Sequence, residues 1–184
     1  MSFATGKMDS NQEYQSKRPR RALDPLKKGD MHCIIEPKDG VGGLYLGNMS
    51  AARKIHTFTT CKINSILTVS AETWLEYDSK SDLKHYRIKA LDTIGFNISK
   101  HFDEGIQFIR KSLESGNILV HCFAGISRSA TIVIAYLMQE KSMNLKAALE
   151  LVQSKRTIAS PNDGFMRQLS EFEDKLLRLE KFGG

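Results

Sequence analysis

At 184 residues, with 41% hydrophobic and 26% charged side chains, the chain is about one domain long and can bury a sizeable core. Its three cysteines have no paired spacing, which argues against a disulfide framework or a zinc site, and no run of eighteen apolar residues is available to span a membrane. Half of the net charge of +6 lies in residues 1 to 30, which hold seven basic and four acidic groups.

That first stretch reads as a solvated, mobile basic tail. Its cluster Lys17-Arg18-Pro19-Arg20-Arg21 has the composition of a plain basic tail, and also of a nuclear-import signal or a contact for an acidic partner. No aromatic residue is interleaved with the cluster, so nucleic-acid binding is not expected. Met1-Ser2-Phe3 carries neither an apolar secretory core nor a glycine for myristoylation. The expectation is a soluble protein of the cytoplasm or nucleus without a membrane partner.

Beyond the tail, Gly43 to Leu46, Ile63 to Val69, residues 86 to 91 and residues 118 to 121 read as strands. Helical spacing follows at Phe102, Ile106, Ile109 and Leu113, then at Leu145, Ala148, Leu149 and Val152. A last helix shows Phe165, Leu169, Phe172, Leu176 and Leu179, with Asn162 as its candidate N-cap. Thr131 to Met138 is apolar all round, the pattern of a helix buried on several sides. Strands alternating with helices predict an α/β fold: a central, mainly parallel sheet flanked by helices on both faces.

The stretch His121-Cys122-Phe123-Ala124-Gly125-Ile126-Ser127-Arg128-Ser129 lies between the apolar strand Ile118-Leu119-Val120 and the apolar helix. Only the thiolate form of a cysteine is nucleophilic, and loop N–H groups, a helix N-terminus and a guanidinium all favour it. The same features bind phosphate, because successive N–H groups form an anion nest and arginine forks two hydrogen bonds to its oxygens. Gly125 permits a close backbone approach that a side chain would block. Arg128 is placed to hold the equatorial oxygens of a transferring phosphoryl group. The Ser129 hydroxyl can donate to the Cys122 sulfur, and His121 is read as orienting the loop backbone rather than moving protons. The sixth residue after Cys33 is Asp39 and after Cys61 is Leu67, so the cysteine-to-arginine spacing is particular to Cys122.

His121 to Ser129 resembles the signature of the cysteine-dependent protein phosphatases, and Ala124 to Ser129 has the form found in their dual-specificity branch, including its small atypical members. Leu44-Tyr45-Leu46-Gly47, Ala135-Tyr136-Leu137-Met138 and Ser160-Pro161-Asn162 with Gly164-Phe165 extend the resemblance over residues 33 to 181. It implies a protein tyrosine phosphatase-like fold and hydrolysis of phosphotyrosine and phosphoserine or phosphothreonine through a cysteinyl-phosphate, with no metal or other cofactor. Substrates would be phosphorylated proteins, a mitogen-activated protein kinase among the candidates. Cys122 would be the nucleophile and the backbone of Phe123 to Arg128 the phosphate cradle. In the family, the asparagine matched by Asn162 steadies that cradle, which is compatible with capping.

Such a reaction needs a proton for the leaving oxygen, and a carboxylic acid on a neighbouring loop is the usual source. Among Glu72, Glu76, Asp78, Asp82 and Asp92, the last stands out because it ends the strand-like run 86 to 91 and precedes a helix opened by Asn97. Asp92-Thr93 followed by Phe96-Asn97 also resembles the general-acid loop of the dual-specificity branch. The tyrosine-specific relatives carry tryptophan and proline there, whereas this chain has Ala90-Leu91-Asp92-Thr93. Phosphoinositide, RNA 5′-phosphate and phosphoglucan esters are alternative substrates for the same chemistry, but Phe123, Ala124 and Ile126 offer no extra cation for a polyanion. A phospho-binding module without turnover is the remaining alternative.

Overall fold

The computed structural model describes residues 29–72, 75–77 and 82–182; the cluster Lys17 to Arg21 lies outside them. Five strands form one sheet: β1 (Met31–Ile35), β2 (Leu44–Gly47), β3 (Ile63–Val69), β4 (Lys84–Ile88) and β5 (Asn117–His121), in the order β1-β2-β5-β3-β4. Only β1 runs antiparallel, against β2, and the other three pairings are parallel. The helices are α1 (Met49–Arg53), α2 (Ile55–Thr60), α3 (Phe102–Leu113, after a 3-10 turn at Ser99–His101), α4 (Arg128–Glu140), α5 (Leu145–Lys155) and α6 (Asp163–Phe182).

Strand alternation divides the apolar side chains between two faces. Leu44, Leu46, Leu67, Val69, Ile118 and Val120 join the larger core with α3 to α6. Tyr45, Ile66 and Leu119 point the other way, into a smaller core with Ala51, Ala52 and Cys61. A register shift between Ile63 and Ser65 in the β3–β5 pairing accounts for Ile63 sharing that second face. Helices therefore cover both faces, the four longer ones on one side. Among the described residues, no helix is long and apolar enough to cross a membrane.

Every residue from Arg128 to Met138 is buried, and α4 packs against α3, α5 and α6 at once. This is what the all-round apolar stretch demands. Two strand expectations shift. β1 carries no clean alternation because a bulge between Cys33 and Ile35 breaks its register, so the pattern becomes legible only at β2. β4 runs Lys84–Ile88 rather than 86 to 91, because it is an edge strand whose first residues face solvent. Looser pairing continues past its end, where the Ala71 N–H donates to the Ala90 carbonyl.

The close crossing of α3 and α4 depends on Gly105, where an added Cβ would sit 2.9 Å from Ile132 Cγ2. Gly105→Val, although valine is the better helix former, should lower the unfolding free energy by about 1–3 kcal/mol through overpacking. Urea titration measures this, and an unchanged midpoint would mean that the two helices separate freely.

Candidate active site

β5 is the central strand of the sheet, and its chain end delivers His121 and Cys122 into the turn that leads to α4. Cys122 is 1% exposed. Its Sγ accepts hydrogen bonds from the Gly125 N–H and from Ser129 Oγ, each at 3.2 Å. Gly125 adopts φ +67°, and a Cβ there would lie 2.3 Å from the Gly47 carbonyl oxygen, so conformation and space both require glycine. Phe123 is anchored through its carbonyl, which accepts from the Met49 N–H, and Ile126 likewise from the Ser160 N–H.

The Arg128 side chain is buried. Its Nη1 donates to both Glu72 oxygens at 2.7 Å and to the Ala90 carbonyl at 3.2 Å. Its Nε lies 3.4 Å from Asp92 Oδ2 without an aligned hydrogen bond. Among the described residues it is the buried side-chain donor left without an acceptor. Such orphans are costly, and the nearest acceptor to this one is the Asp92 carboxylate alongside it. Burial works against ionisation of Glu72, but hydrogen bonds from its own backbone, Arg128 and Ser70 outweigh it and hold the carboxyl below its ordinary range.

Asp92 lies four residues beyond β4, with Oδ1 accepting from Ser127 Oγ at 2.7 Å and from Asn162 Nδ2 at 3.0 Å. Asn162 also caps α6, its Oδ1 accepting from the Phe165 N–H, while its own N–H donates to Ser127 Oγ. Capping is thus present. The side-chain amide reaches the Asp92 carboxylate, and contact with the phosphate loop runs through Ser127. Asn97 accepts from the Lys100 N–H, so the segment it opens begins as a 3-10 turn before α3.

His121 Nδ1 is 3.2 Å from the Cys122 carbonyl, and its Nε2 is 2.8 Å from Thr68 Oγ1. A carbonyl can only accept, so Nδ1 carries the proton and Thr68 donates to Nε2. Thr68 in turn accepts from His85 Nε2 at 2.9 Å. Burial is the main cause that lowers the His121 pKa to about 4, with the His85 charge adding to it. A histidine held neutral in this way orients the loop and does not supply protons near neutral pH.

The dual specificity phosphatase catalytic domain matches residues 44–175. The chain belongs to that family. It is 40% identical over 141 residues to dual specificity protein phosphatase 1 of Arabidopsis thaliana, covering 76% of this chain and 70% of that one. It is equally identical over the same length to MAP kinase phosphatase with leucine-rich repeats protein 3 of Dictyostelium discoideum, but covers 16% of that longer protein. The crystal structure of DUSP15 superposes with a TM-score of 0.68 at 39% identity, over 80% of this chain and 96% of that one. The protein is a dual specificity, cysteine-dependent phosphatase with the phosphatase fold that its sequence resembles.

Sequence reasoning did not assign Glu72 as the partner of Arg128, nor Thr68 and His85 as supports of His121, nor Arg156 as a neighbour of the loop. Glu72 was in view only as one acid among five. Arg156 gave no signal, since Lys155-Arg156 at a helix end reads as a solvated basic pair.

The other cysteines are remote from Cys122. Cys33 lies opposite Tyr45, and Tyr45 opposite Leu119. Two strand spacings and three residues of strand separate the Cα atoms of Cys33 and Cys122 by roughly 14 Å. The Cys61 carbonyl accepts from Asn117 at the far end of β5. A disulfide needs Cα atoms within about 7 Å, so neither cysteine can protect Cys122 in this fold. Burial, reinforced by Glu36, pushes the Cys33 thiol up to about 12, which leaves it a poor competitor as nucleophile.

The His121 environment predicts a pH effect on stability. An unfolded histidine takes up its proton near pH 6.5, but His121 does so only near 4. Between these values the unfolded chain binds more protons, so stability is full above pH 6.5 and falls as pH drops toward 4. Burial shifts His32 and His85 in the same direction. His121→Asn should therefore be less stable at pH 7 yet lose less on acidification. Thermal melts from pH 7 to 4.5 test this, and a variant with the wild-type slope would refute it.

Proposed function

We propose that Cys122 is the nucleophile, Asp92 the general acid and base, and Arg128 with the loop N–H groups the phosphoryl cradle of this phosphatase. The single observation that carries the reading is the buried Nε of Arg128, which has no hydrogen-bond acceptor, on the same turn as a sulfur that already accepts two hydrogen bonds.

In the first step the Cys122 thiolate forms a bond to phosphorus while the bond to the leaving oxygen breaks, and Asp92 gives that oxygen its proton. Charge on the equatorial oxygens falls to Arg128 and the backbone donors of Phe123 to Arg128. In the second step Asp92, now ionised, takes a proton from water, the water oxygen bonds to phosphorus, and the sulfur–phosphorus bond breaks. Ser129 stabilises the departing thiolate through its hydrogen bond to Sγ, and inorganic phosphate leaves. Asn162 and Ser127 hold the Asp92 carboxylate, while His121 fixes the Cys122 carbonyl.

The substrates we assign are phosphoproteins carrying phosphotyrosine and phosphoserine or phosphothreonine. A mitogen-activated protein kinase is a candidate among them, supported by the name of the Dictyostelium relative. Dependence on a reduced thiol supports the cytoplasm or nucleus as the site of action.

Phosphate release from a peptide carrying both phosphothreonine and phosphotyrosine, with wild type beside Cys122→Ser, tests the assignment. Release from both residues should be abolished in the variant, whereas residual turnover would remove Cys122 from its role. Asp92→Ala should slow hydrolysis of a poor leaving group by about 10² to 10⁴-fold, and much less for an activated aryl phosphate that needs little protonation. Equal losses on the two substrates would show that Asp92 is not the acid.

A further inference from the structure

Arg156 follows the end of α5, is 1% exposed, and heads the fully buried side chains by volume. No carboxylate lies within ion-pair distance of it among the described residues. A buried cation without a counter-ion is costly and needs dense hydrogen bonding to persist. Its donors go to four acceptors. Nε donates to the Gly125 carbonyl at 2.7 Å and Nη2 to the Ala124 carbonyl at 3.2 Å. Nη1 donates to the Gly29 carbonyl at 2.8 Å and to His32 Nδ1 at 3.0 Å.

From this arrangement we propose that Arg156 is a positioning residue for the phosphate loop: it holds two loop carbonyls outward so that the N–H groups behind them face the anion. A trans peptide is planar, with its C=O and the following N–H pointing in opposite directions. Drawing the Ala124 carbonyl toward Arg156 turns the Gly125 N–H inward, and that N–H donates to Cys122 Sγ. Drawing the Gly125 carbonyl the same way turns the Ile126 N–H to the anion side. The anion nest is thus set from behind by a guanidinium that never touches substrate.

Shape and charge act together. Two carbonyls that converge on one edge and two further acceptors suit a planar fork, which an ammonium group cannot replace. Gly125 completes the fit, because a Cβ there would lie 2.8 Å from Arg156 Nη2. Among the described residues no carboxylate is in ion-pair contact with the cation; Asp30 and the Cys122 sulfur act on it from a greater distance, and a bound phosphoryl group would add a further balancing charge. The bond to His32 requires a neutral imidazole, and burial together with the Arg156 charge lowers the His32 pKa accordingly.

The inference rests on the reading of this loop as a phosphoryl cradle, and vanadate separates the two. Failure of vanadate to inhibit the wild-type protein would sink the cradle itself. Given wild-type inhibition, Arg156→Lys should keep the charge, lose the fork, and weaken both vanadate inhibition and kcat by at least about tenfold. Gly105→Val, destabilised by overpacking against Ile132 and Ile88 without touching the loop carbonyls, serves as a control that should keep wild-type vanadate affinity. An Arg156→Lys protein that binds vanadate as wild type does, whatever its Tm, would overturn the proposal. NMR of the wild-type protein gives a reading that needs no substitution. The Arg156 Nε–H signal should be protected from exchange and should move when vanadate binds, and a signal indifferent to vanadate would equally overturn the idea.

Discussion

Arg128 and Arg156, 4% and 1% exposed, approach the turn from His121 to Ser129 on two sides. Neither could remain buried without acceptors, because the cost of dehydrating a guanidinium is recovered only through good geometry and satisfied donors. On one side the acceptors are Glu72 and the Ala90 carbonyl, with Asp92 alongside; on the other they are the carbonyls of the turn itself and Gly29. The turn therefore folds as the ligand of one cation and as the scaffold of the other. What remains without an acceptor after both sets of bonds, among the buried side-chain donors of the described residues, is the Nε of Arg128.

Sheet direction explains how residues distant in sequence meet there. β5, β3 and β4 are adjacent and parallel, so the segments that leave their carboxyl ends emerge along one edge. The first carries Cys122 and Arg128, the second Ser70 and Glu72, the third Ala90 and Asp92. Cys122, the Glu72 that clamps Arg128, and Asp92 each follow a different strand of one sheet. Arg87 ties two of these segments together by donating to the Ser70 and Ala71 carbonyls.

This geometry also explains what could be read in the amino-acid sequence. The spacing from Cys122 to Arg128 is legible because both residues belong to one turn, and α4 is legible because every face of it is buried. The Arg128–Glu72 pair spans 56 positions and the Arg156–Gly125 bond 31, so no local pattern signals either. Asp92 was singled out from its place after a strand, and β4 ends earlier than its apolar residues suggest. Ile88 and Ala90 are both buried with Lys89 exposed between them, but only Ile88 is in the ladder, and alternation that runs past the ladder's end gave the wrong boundary. β1 was missed for a related reason, since a bulged edge strand loses the period of two on which strand recognition depends.

The antiparallel direction of β1 has a consequence for the site. Because β1 runs against β2, its first residue, Met31, pairs with Gly47 at the carboxyl end of β2, beside the phosphate loop. A parallel strand in this place would bring its end to that edge and carry its start away. As it is, Gly29 and His32 are held where Arg156 can reach them, and Asp30 accepts from Asn48, Ser50 and Lys54 in the neighbouring α1 region. The missed strand thus supplies the outer anchor for the missed arginine, and both omissions have one origin. They concern the support behind the cradle, which is built from backbone carbonyls and a reversed edge strand rather than from residue types that advertise chemistry.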